Sequence, residues 1–210
     1  MNLIDYLQKI KIVPIATFND VSSALKICEI LEQNSINIIE ITLRTEEAIS
    51  CIEEISRNFP EMFIGAGSVL SKDALKAAID AGVKFAVSPC IDLDVIEYAL
   101  SIEIHFIPGI STPSELNIAL KLGMEIIKIF PSVSLGGVKY IRDIVLPYKI
   151  MNFHLLPTGG INLDNLNEFI NTERVIACGL SYITNSKLIE KKEFGEISNR
   201  IKCLMKLIDR

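Results

Sequence analysis

The 210-residue chain has little of what metal, disulfide or membrane structures require. It contains two histidines and five cysteines, with no CxxC spacing and no HExxH motif. This composition argues against a disulfide framework and against a transition-metal site. We expect the cysteines to be small buried hydrophobic residues in a reducing compartment. No run of about 18 apolar residues is free of charge, so no membrane span is expected.

A basic surface is missing as well. Lysine and arginine number 21 against 26 acidic residues, which gives a net charge of −5, and no basic stripe is present. Nucleic-acid binding is therefore not expected. Residues 1–5 have no basic cluster ahead of an apolar run, so we expect no signal peptide and a cytoplasmic location. With 50% hydrophobic and 22% charged residues, the chain fits one globular domain over residues 1–210.

Short apolar segments rich in Ile, Val and Phe alternate with longer amphipathic segments. Polar residues suited to helix N-caps precede several of the amphipathic segments, among them Asp20, Thr45, Ser71, Asp92 and Thr112. We predict strands at 12–18, 38–43, 62–69, 85–89, 105–110, 126–130, 154–158 and 175–178. We predict helices at 21–33, 46–57, 72–81, 92–100, 113–122, 162–170 and 187–208.

The alternation predicts a single-domain parallel (β/α)8 barrel. Strand starts recur roughly every 20–28 residues, which gives about eight strand–helix units. The amphipathic segment 3–10 is interpreted as a helix that covers the N-terminal end of the barrel. The alternative is an open doubly wound sheet, but no GxGxxG motif follows the first strand.

The second predicted strand carries polar residues at alternate positions. A period of two places Glu40, Thr42 and Arg44 on one face and the intervening apolar residues on the other. If the apolar face packs under helices, the polar face points into the barrel. A carboxylate and a guanidinium there form either a structural ion pair or part of a site at the strand end.

A single lysine, Lys128, interrupts the apolar strand 126–130. It is either paired with a carboxylate such as Glu40, exposed at an edge, or a nucleophile. Apolar surroundings disfavour the charged form of an amine, and a neutral amine can attack a carbonyl carbon to form a Schiff base. With Glu40 for proton transfer and Arg44 for an anionic substrate, the set is typical of a carbon–carbon lyase.

Glycines follow the last two predicted strands. Thr158-Gly159-Gly160 and Gly179-Leu180-Ser181 would bring backbone N–H groups to the rim, where barrels frequently bind phosphate. Glycines in tight turns are the commoner explanation for such a motif on its own. His105 and His154 stand at strand starts, away from this end, so we expect structural roles for them.

Taken together in their order, these motifs resemble one family. The sequence resembles the 2-dehydro-3-deoxy-6-phosphogluconate (KDPG) aldolases, also described as 4-hydroxy-2-oxoglutarate (KHG) aldolases, which act through a Schiff base. The motifs cover nearly the whole chain and are VPI (13–15), IEITLRT (39–45), GAGSVL (65–70), FAVSP (85–89), IPGIST (107–112), KIFP (128–131), GGVK (136–139) and PTGGI (157–161).

The resemblance implies a homotrimeric barrel enzyme that needs no metal or other cofactor. Its small-molecule partners would be a 2-oxo sugar-acid phosphate and pyruvate. Lys128 would form the imine, and Glu40 would transfer protons. The other implied roles are binding of the carboxylate portion (Arg44, Ser68, Thr158), packing against pyruvate (Pro89, Phe130) and binding of phosphate (Gly159, Gly160, Gly179, Ser181).

Three positions depart from the family pattern. Ser68 stands where many members have threonine, and Cys90 and Leu180 stand where glycine is frequent. The last two leave open an unphosphorylated KHG substrate or a galactonate-series analogue. Two further hypotheses are a barrel sugar-phosphate epimerase or isomerase that forms no imine, and a non-catalytic phosphate-binding barrel.

Overall fold

A computed structural model describes residues 2–208 as an α/β fold with parallel strands. The strands are β1 (Ile12–Ala16), β2 (Ile38–Thr42), β3 (Phe63–Gly67), β4 (Phe85–Val87), β5 (His105–Ile107), β6 (Gly109–Ile110), β7 (Ile126–Ile129), β8 (His154–Pro157) and β9 (Cys178–Leu180). The helices are α1 (Leu3–Ile10), α2 (Val21–Gln33), α3 (Ala48–Asn58), α4 (Lys72–Asp80), α5 (Leu93–Ser101), α6 (Pro113–Lys121), α7 (Gly137–Val145), α8 (Leu166–Ile170), α9 (Ser186–Glu190) and α10 (Phe194–Ile208), with a short 3-10 helix at Leu146–Tyr148.

The strands form two parallel sheets rather than the single closed sheet of the predicted barrel. One sheet has six strands in the order β5-β4-β3-β2-β1-β9, and the other has three in the order β6-β7-β8. The predicted strand 105–110 is divided between them at Pro108, whose nitrogen carries no hydrogen to donate to a ladder. On the other side, a single bridge from Thr158 to Gly179 of β9 joins the end of β8 to the six-stranded sheet, and another connects Leu155 of β8 to Val175, ahead of β9.

Helix α1 lies at the N-terminal ends of the strands, as predicted. The hydroxyl of Tyr6 accepts a hydrogen bond of 2.6 Å from the backbone N–H of Asn37, just before β2. The Tyr6 ring centroid lies 5.2 Å from that of Phe63, the first residue of β3. Burial raises the pKa of the Tyr6 hydroxyl, although the bond from Asn37 acts in the opposite direction.

Four of the expected N-caps form. Asp20, Ser71, Asp92 and Thr112 each accept a hydrogen bond from a backbone N–H three residues later. Thr45 instead donates its hydroxyl to the carbonyl of Phe18, and α3 begins at Ala48 rather than at residue 46. The side chain that suggested a cap is used to connect two strand ends.

Several predicted boundaries near the C-terminus were wrong. The last strand is Cys178–Leu180 rather than 175–178, because Val175 makes only a single bridge to Leu155. The predicted helix 187–208 is two helices, separated where Lys192 adopts a φ of 55°. The expectation of buried cysteines holds for Cys28, Cys51 and Cys178 but fails for Cys90 and Cys203, which are exposed.

No helix within the described residues combines the length and the apolar character that a bilayer crossing needs.

Candidate active site

Lys128 and Glu40 form a buried pair between β7 and β2. The Lys128 Nζ atom lies 3.5 Å from Glu40 Oε1, and the two residues are 5% and 1% exposed. The pair therefore places a group capable of proton transfer directly beside an amine.

Local sequence explains why both side chains face inward. Glu40 is flanked by Ile39 and Ile41, and both isoleucines are buried on the opposite face of the strand. Lys128 is flanked in the same way by buried Ile127 and Ile129. Because successive side chains of a strand point to opposite faces, the apolar neighbours pack outward and the charged residue between them points inward.

Gly67 provides the space that the Glu40 carboxyl group occupies. A Cβ atom built at Gly67 would lie 2.2 Å from Glu40 Oε1 and 2.8 Å from its Cδ. A side chain at position 67 and the observed position of the carboxylate are therefore incompatible. The second carboxylate oxygen, Glu40 Oε2, is buried and has no hydrogen-bond partner within residues 2–208. An acceptor in this state can receive a proton or a hydrogen bond from a bound molecule.

Phe130 forms an apolar wall beside the amine. Its ring centroid lies 5.4 Å from Lys128 Nζ, and the residue is 37% exposed. One part of the ring is thus near the amine, while another part is open to solvent.

Arg44 lies beyond the C-terminal end of β2 and is more exposed than the sequence suggested. Its Nη2 donates a 3.3 Å hydrogen bond to the hydroxyl of Thr17, which follows β1. The Thr17 hydroxyl is 2.8 Å from that of Thr42. The guanidinium therefore belongs to the segment that follows β2, four residues beyond Glu40 in the direction of the open rim.

Ser68 and Pro89 occupy the ends of the two next strands. Ser68 follows β3 with a φ of 60°, and the backbone of Pro89 follows β4 and lies against Gly109. Within residues 2–208 neither residue hydrogen-bonds to Lys128 or Glu40. Cys90 adopts a φ outside the left-handed region, so the residue that replaces the frequent glycine requires no special backbone angle.

The residues predicted for phosphate lie together at the ends of β8 and β9. Gly159 and Gly160 have φ angles of 99° and 81°, which glycine adopts without strain. A Cβ at Gly179 would lie 2.3 Å from the Thr158 hydroxyl oxygen, so Gly179 faces Thr158. Ser181 follows β9 and is exposed.

Leu180 does not enter this group. It follows Gly179 in β9 and is fully buried, and alternation along the strand directs its side chain to the opposite face. The leucine therefore packs into the layer on the outer face of the sheet. The departure from glycine at this position leaves the space near Thr158 unchanged.

Sequence reasoning missed two groups that fix this end of the sheets. The buried hydroxyl of Ser132 donates to the carbonyl of Ile129 and accepts from the N–H of Thr158, which ties the end of β7 to that of β8. Thr17 was missed in the same way. A serine or threonine just past a strand is common, so the sequence carries no signal that separates these two from others.

Comparisons with known proteins agree over nearly the full chain. A family model described as KDPG and KHG aldolase matches residues 3–200. The 2-dehydro-3-deoxy-phosphogluconate aldolase of Haemophilus influenzae is 30% identical over 206 residues, which cover 98% of this chain and 96% of that protein. The KHG/KDPG aldolase of Escherichia coli K12 is 32% identical over 187 residues, with 89% and 87% covered.

A solved structure is similar in fold and in length. The KDPG aldolase of Legionella pneumophila, crystallised with pyruvate captured at low pH as a covalent carbinolamine intermediate, superposes with a TM-score of 0.88. It is 28% identical, and the match covers 96% of this chain and 97% of that one.

Proposed function

The chain belongs to the KDPG and KHG aldolase family, and we propose that it cleaves 2-dehydro-3-deoxy-6-phosphogluconate into pyruvate and glyceraldehyde 3-phosphate. As a member of that family it is an aldolase, a carbon–carbon lyase. The observation that carries the assignment of chemistry to residues is the buried contact of 3.5 Å between Lys128 Nζ and Glu40 Oε1.

Lys128 supplies the nucleophile. Its neutral amine attacks the C2 carbonyl carbon of the substrate to give a carbinolamine, which loses water to form an imine. The protonated imine accepts the electron pair of the C3–C4 bond as that bond breaks. Glyceraldehyde 3-phosphate leaves, the remaining enamine takes a proton at C3, and hydrolysis of the imine returns pyruvate and the free amine.

Glu40 transfers the protons that these steps require. It takes the proton of the C4 hydroxyl as the C3–C4 bond breaks. It also donates and accepts the protons that loss and addition of water at C2 require. Glu40 Oε2 is the free acceptor for this purpose. Its neighbour Oε1 remains close to the amine.

The remaining residues bind the two ends of the substrate. Arg44 and Ser68 hold the carboxylate with Thr158 beside them, and Pro89 and Phe130 pack against the pyruvate portion. The positive φ angles of Gly159 and Gly160, and the position of Gly179 against Thr158, support a backbone site for phosphate at this rim, with the Ser181 hydroxyl as a further donor.

KHG is a second substrate in this proposal, because the relative from Escherichia coli is named for both acids. The relatives compared above carry gluconate-series or KHG names, which favours these substrates over a galactonate-series acid. A comparison of kcat/KM for KDPG, KHG and the galactonate-series analogue ranks them directly.

The proposal extends to architecture and assembly. The two sheets close as one single-domain (β/α)8 barrel, which is supported by the bridge from Thr158 to Gly179 and by the bond from Lys128 N to the carbonyl of Pro108. The chain forms a homotrimer in the cytoplasm, and exposed side chains such as Leu70 and Leu93 support burial against another subunit. Light scattering coupled to size-exclusion chromatography measures the assembly.

Reductive trapping tests the chemistry. The protein is incubated with pyruvate and sodium borohydride, and its intact mass and peptide masses are measured. We expect one reduced pyruvyl group on Lys128, none in Lys128→Ala, and normal trapping in Lys139→Ala, whose lysine lies on the surface. A protein that accumulates no adduct at saturating pyruvate would instead be an epimerase, an isomerase or a non-catalytic binding protein.

A further inference from the structure

Side-chain hydrogen bonds connect the end of β1 to the end of β2 around Arg44. Arg44 Nη2 donates to the Thr17 hydroxyl at 3.3 Å, and that hydroxyl is 2.8 Å from the hydroxyl of Thr42. On the other side of Arg44, the Thr45 hydroxyl donates to the carbonyl of Phe18 at 2.6 Å. Arg44 therefore stands between two contacts that hold its segment against the residues following β1.

The strand register places Thr17 on the catalytic face. Ile15 is opposite Glu40 and Ala16 is opposite Ile41, so the next pair in a parallel ladder is Thr17 and Thr42. Paired residues of parallel strands point to the same face, and that face alternates along each strand. Thr17 and Thr42 consequently share the face of Glu40, and their hydroxyls meet beyond the buried pair.

The arginine fixes the direction of one of these hydrogen bonds. A guanidinium only donates, so the Thr17 oxygen accepts from Arg44, while either hydroxyl can be the donor between Thr17 and Thr42. The bond from Arg44 has a fully charged donor, which makes it stronger than a bond between two neutral groups. Thr42 is buried, so this short chain is anchored at its inner end.

We propose that Thr17 is a positioning residue for the proposed function: its hydroxyl holds the Arg44 guanidinium in the orientation that binds the carboxylate of the 2-oxo acid. An exposed arginine side chain samples many rotamers, and holding it before the ligand arrives lowers the entropic cost of binding. Thr17 does not contact the reacting atoms in this proposal and acts only through Arg44.

Valine and serine separate the hydroxyl from the shape of the side chain. Thr17→Val keeps the branched shape and removes the hydroxyl, whereas Thr17→Ser keeps the hydroxyl. The pyruvate concentration that gives half-maximal borohydride trapping is measured in both variants. Thr172→Val is the control, because the Thr172 hydroxyl donates only to the local carbonyl of Glu168, four residues earlier and away from the site. Each measurement is repeated with pyruvamide, which has the keto group but no carboxylate.

We expect Thr17→Val to raise the half-maximal pyruvate concentration by about fivefold, the effect of about 1 kcal/mol from one hydrogen bond to a charged group near the surface. Thr17→Ser and Thr172→Val should remain close to the parent protein. In turnover of KDPG, Thr17→Val should raise KM and leave kcat nearly unchanged, since the carboxylate contact is the same in the ground and transition states.

The pyruvamide series decides between positioning and general damage. The pyruvamide concentration that gives half-maximal trapping should be the same in all variants, because that probe has no carboxylate for Arg44 to bind. An equal shift for pyruvate and pyruvamide, or no shift for pyruvate, would overturn the proposal. If Thr17→Val does not fold, Thr17→Ala replaces it, and the same results are expected of that variant. Absence of trapping in the parent protein would contradict the proposed function itself, and that result is distinct from any difference between variants.

Discussion

At the scale of single residues, the buried Lys128–Glu40 pair predicts a dependence of stability on both members. Lys128→Met removes the amine and leaves the Glu40 carboxylate buried without its partner. We expect the free energy of unfolding to fall by about 3–5 kcal/mol, the usual cost of breaking a buried ion pair by removing one partner. Adding Glu40→Gln should recover part of that loss, because a neutral amide is cheaper to bury.

Urea denaturation of the parent, the two single variants and the double variant measures this coupling. All three variants should be inactive in the KDPG cleavage assay. Additive effects of the two substitutions on the free energy of unfolding would mean that the pair contributes no interaction energy in the folded protein.

Gly67 predicts a loss of activity from the addition of one methyl group. In Gly67→Ala the new Cβ would meet Glu40 Oε1 at 2.2 Å, so the carboxyl group must leave its place beside Lys128. We expect kcat to fall by about 100-fold, the smaller end of the range for displacing a general acid–base group. Gly195→Ala is the matched control, since its new Cβ meets no heavy atom within 4 Å beyond its chain neighbours and the backbone of its own helix.

In that pair of variants, activity is compared at equal folded fraction, measured by circular dichroism. Gly195→Ala should keep full activity. A Gly67→Ala protein with parental kcat would show that Glu40 acts equally well from another position.

Single charged residues within apolar strands are the site residues that could be predicted from the sequence. A lysine in a run of isoleucines and a glutamate in another indicate inward charges, and the structure places Lys128 and Glu40 in contact. The role of Gly67 could not be predicted, because the clash arises from a neighbouring strand. Thr17 gives no signal for the same reason, since its partners are Thr42 at the end of β2 and Arg44 just beyond that strand.

At the scale of elements, the N-cap of α2 predicts a pH-dependent contribution to stability. Hydrogen bonds from Ser22 and then Ser23 hold the pKa of Asp20 below its usual value. The folded pKa is thus below the unfolded value of about 3.9. The contribution is present above that unfolded value and is lost as the pH falls through the lower folded value.

Asp20→Asn is the test of this cap, because asparagine also caps helices but does not titrate. We expect the parent to melt at a higher temperature than the variant at pH 7. The two melting temperatures should converge as the pH falls below about 4. A constant difference at every pH would exclude a contribution from the charge of Asp20.

Helices with clear caps and strands with strong apolar runs could be predicted from the sequence. Helix α2 begins and ends at the predicted residues, Val21 and Gln33. Helix α7 was not predicted, because Gly136 and Gly137 at its start have positive φ angles and resemble a turn. The division of the predicted helix 187–208 depends on the positive φ angle of Lys192, a conformation that no local residue preference indicates.

At the scale of the whole molecule, cysteine exposure predicts a clear division in thiol reactivity. Cys90 and Cys203 are exposed, whereas Cys28, Cys51 and Cys178 are buried. Burial raises the pKa of the Cys51 thiol to about 11 and raises that of Cys28 and Cys178 as well. Buried thiols with raised pKa values react only when the structure opens.

Iodoacetamide labelling followed by peptide mass spectrometry checks this division. In the native protein we expect rapid labelling at Cys90 and Cys203 alone, and labelling of all five cysteines in guanidinium chloride. Rapid labelling of Cys178 in the native protein would indicate that β9 separates easily from β1.

The class of fold could be predicted from the sequence, but the division of its sheets could not. Alternating strand and helix segments require parallel strands, and parallel pairing is found throughout. Pro108 is visible in the sequence, and its missing N–H is compatible with an interrupted strand. The sequence does not show which strand each half of 105–110 pairs with, and the structure pairs β5 with β4 and β6 with β7.

The pairing of β1 with β9 also bears on synthesis of the protein by the ribosome. Ile12, Val13 and Pro14 pair with Cys178, Gly179 and Leu180, which come much later in the chain. Until residues 178–180 emerge from the exit tunnel, one edge of the nascent β1 has no neighbour to bond with. The growing polypeptide therefore carries an open strand edge through most of its translation, and chaperones that bind nascent chains have a defined segment to shield.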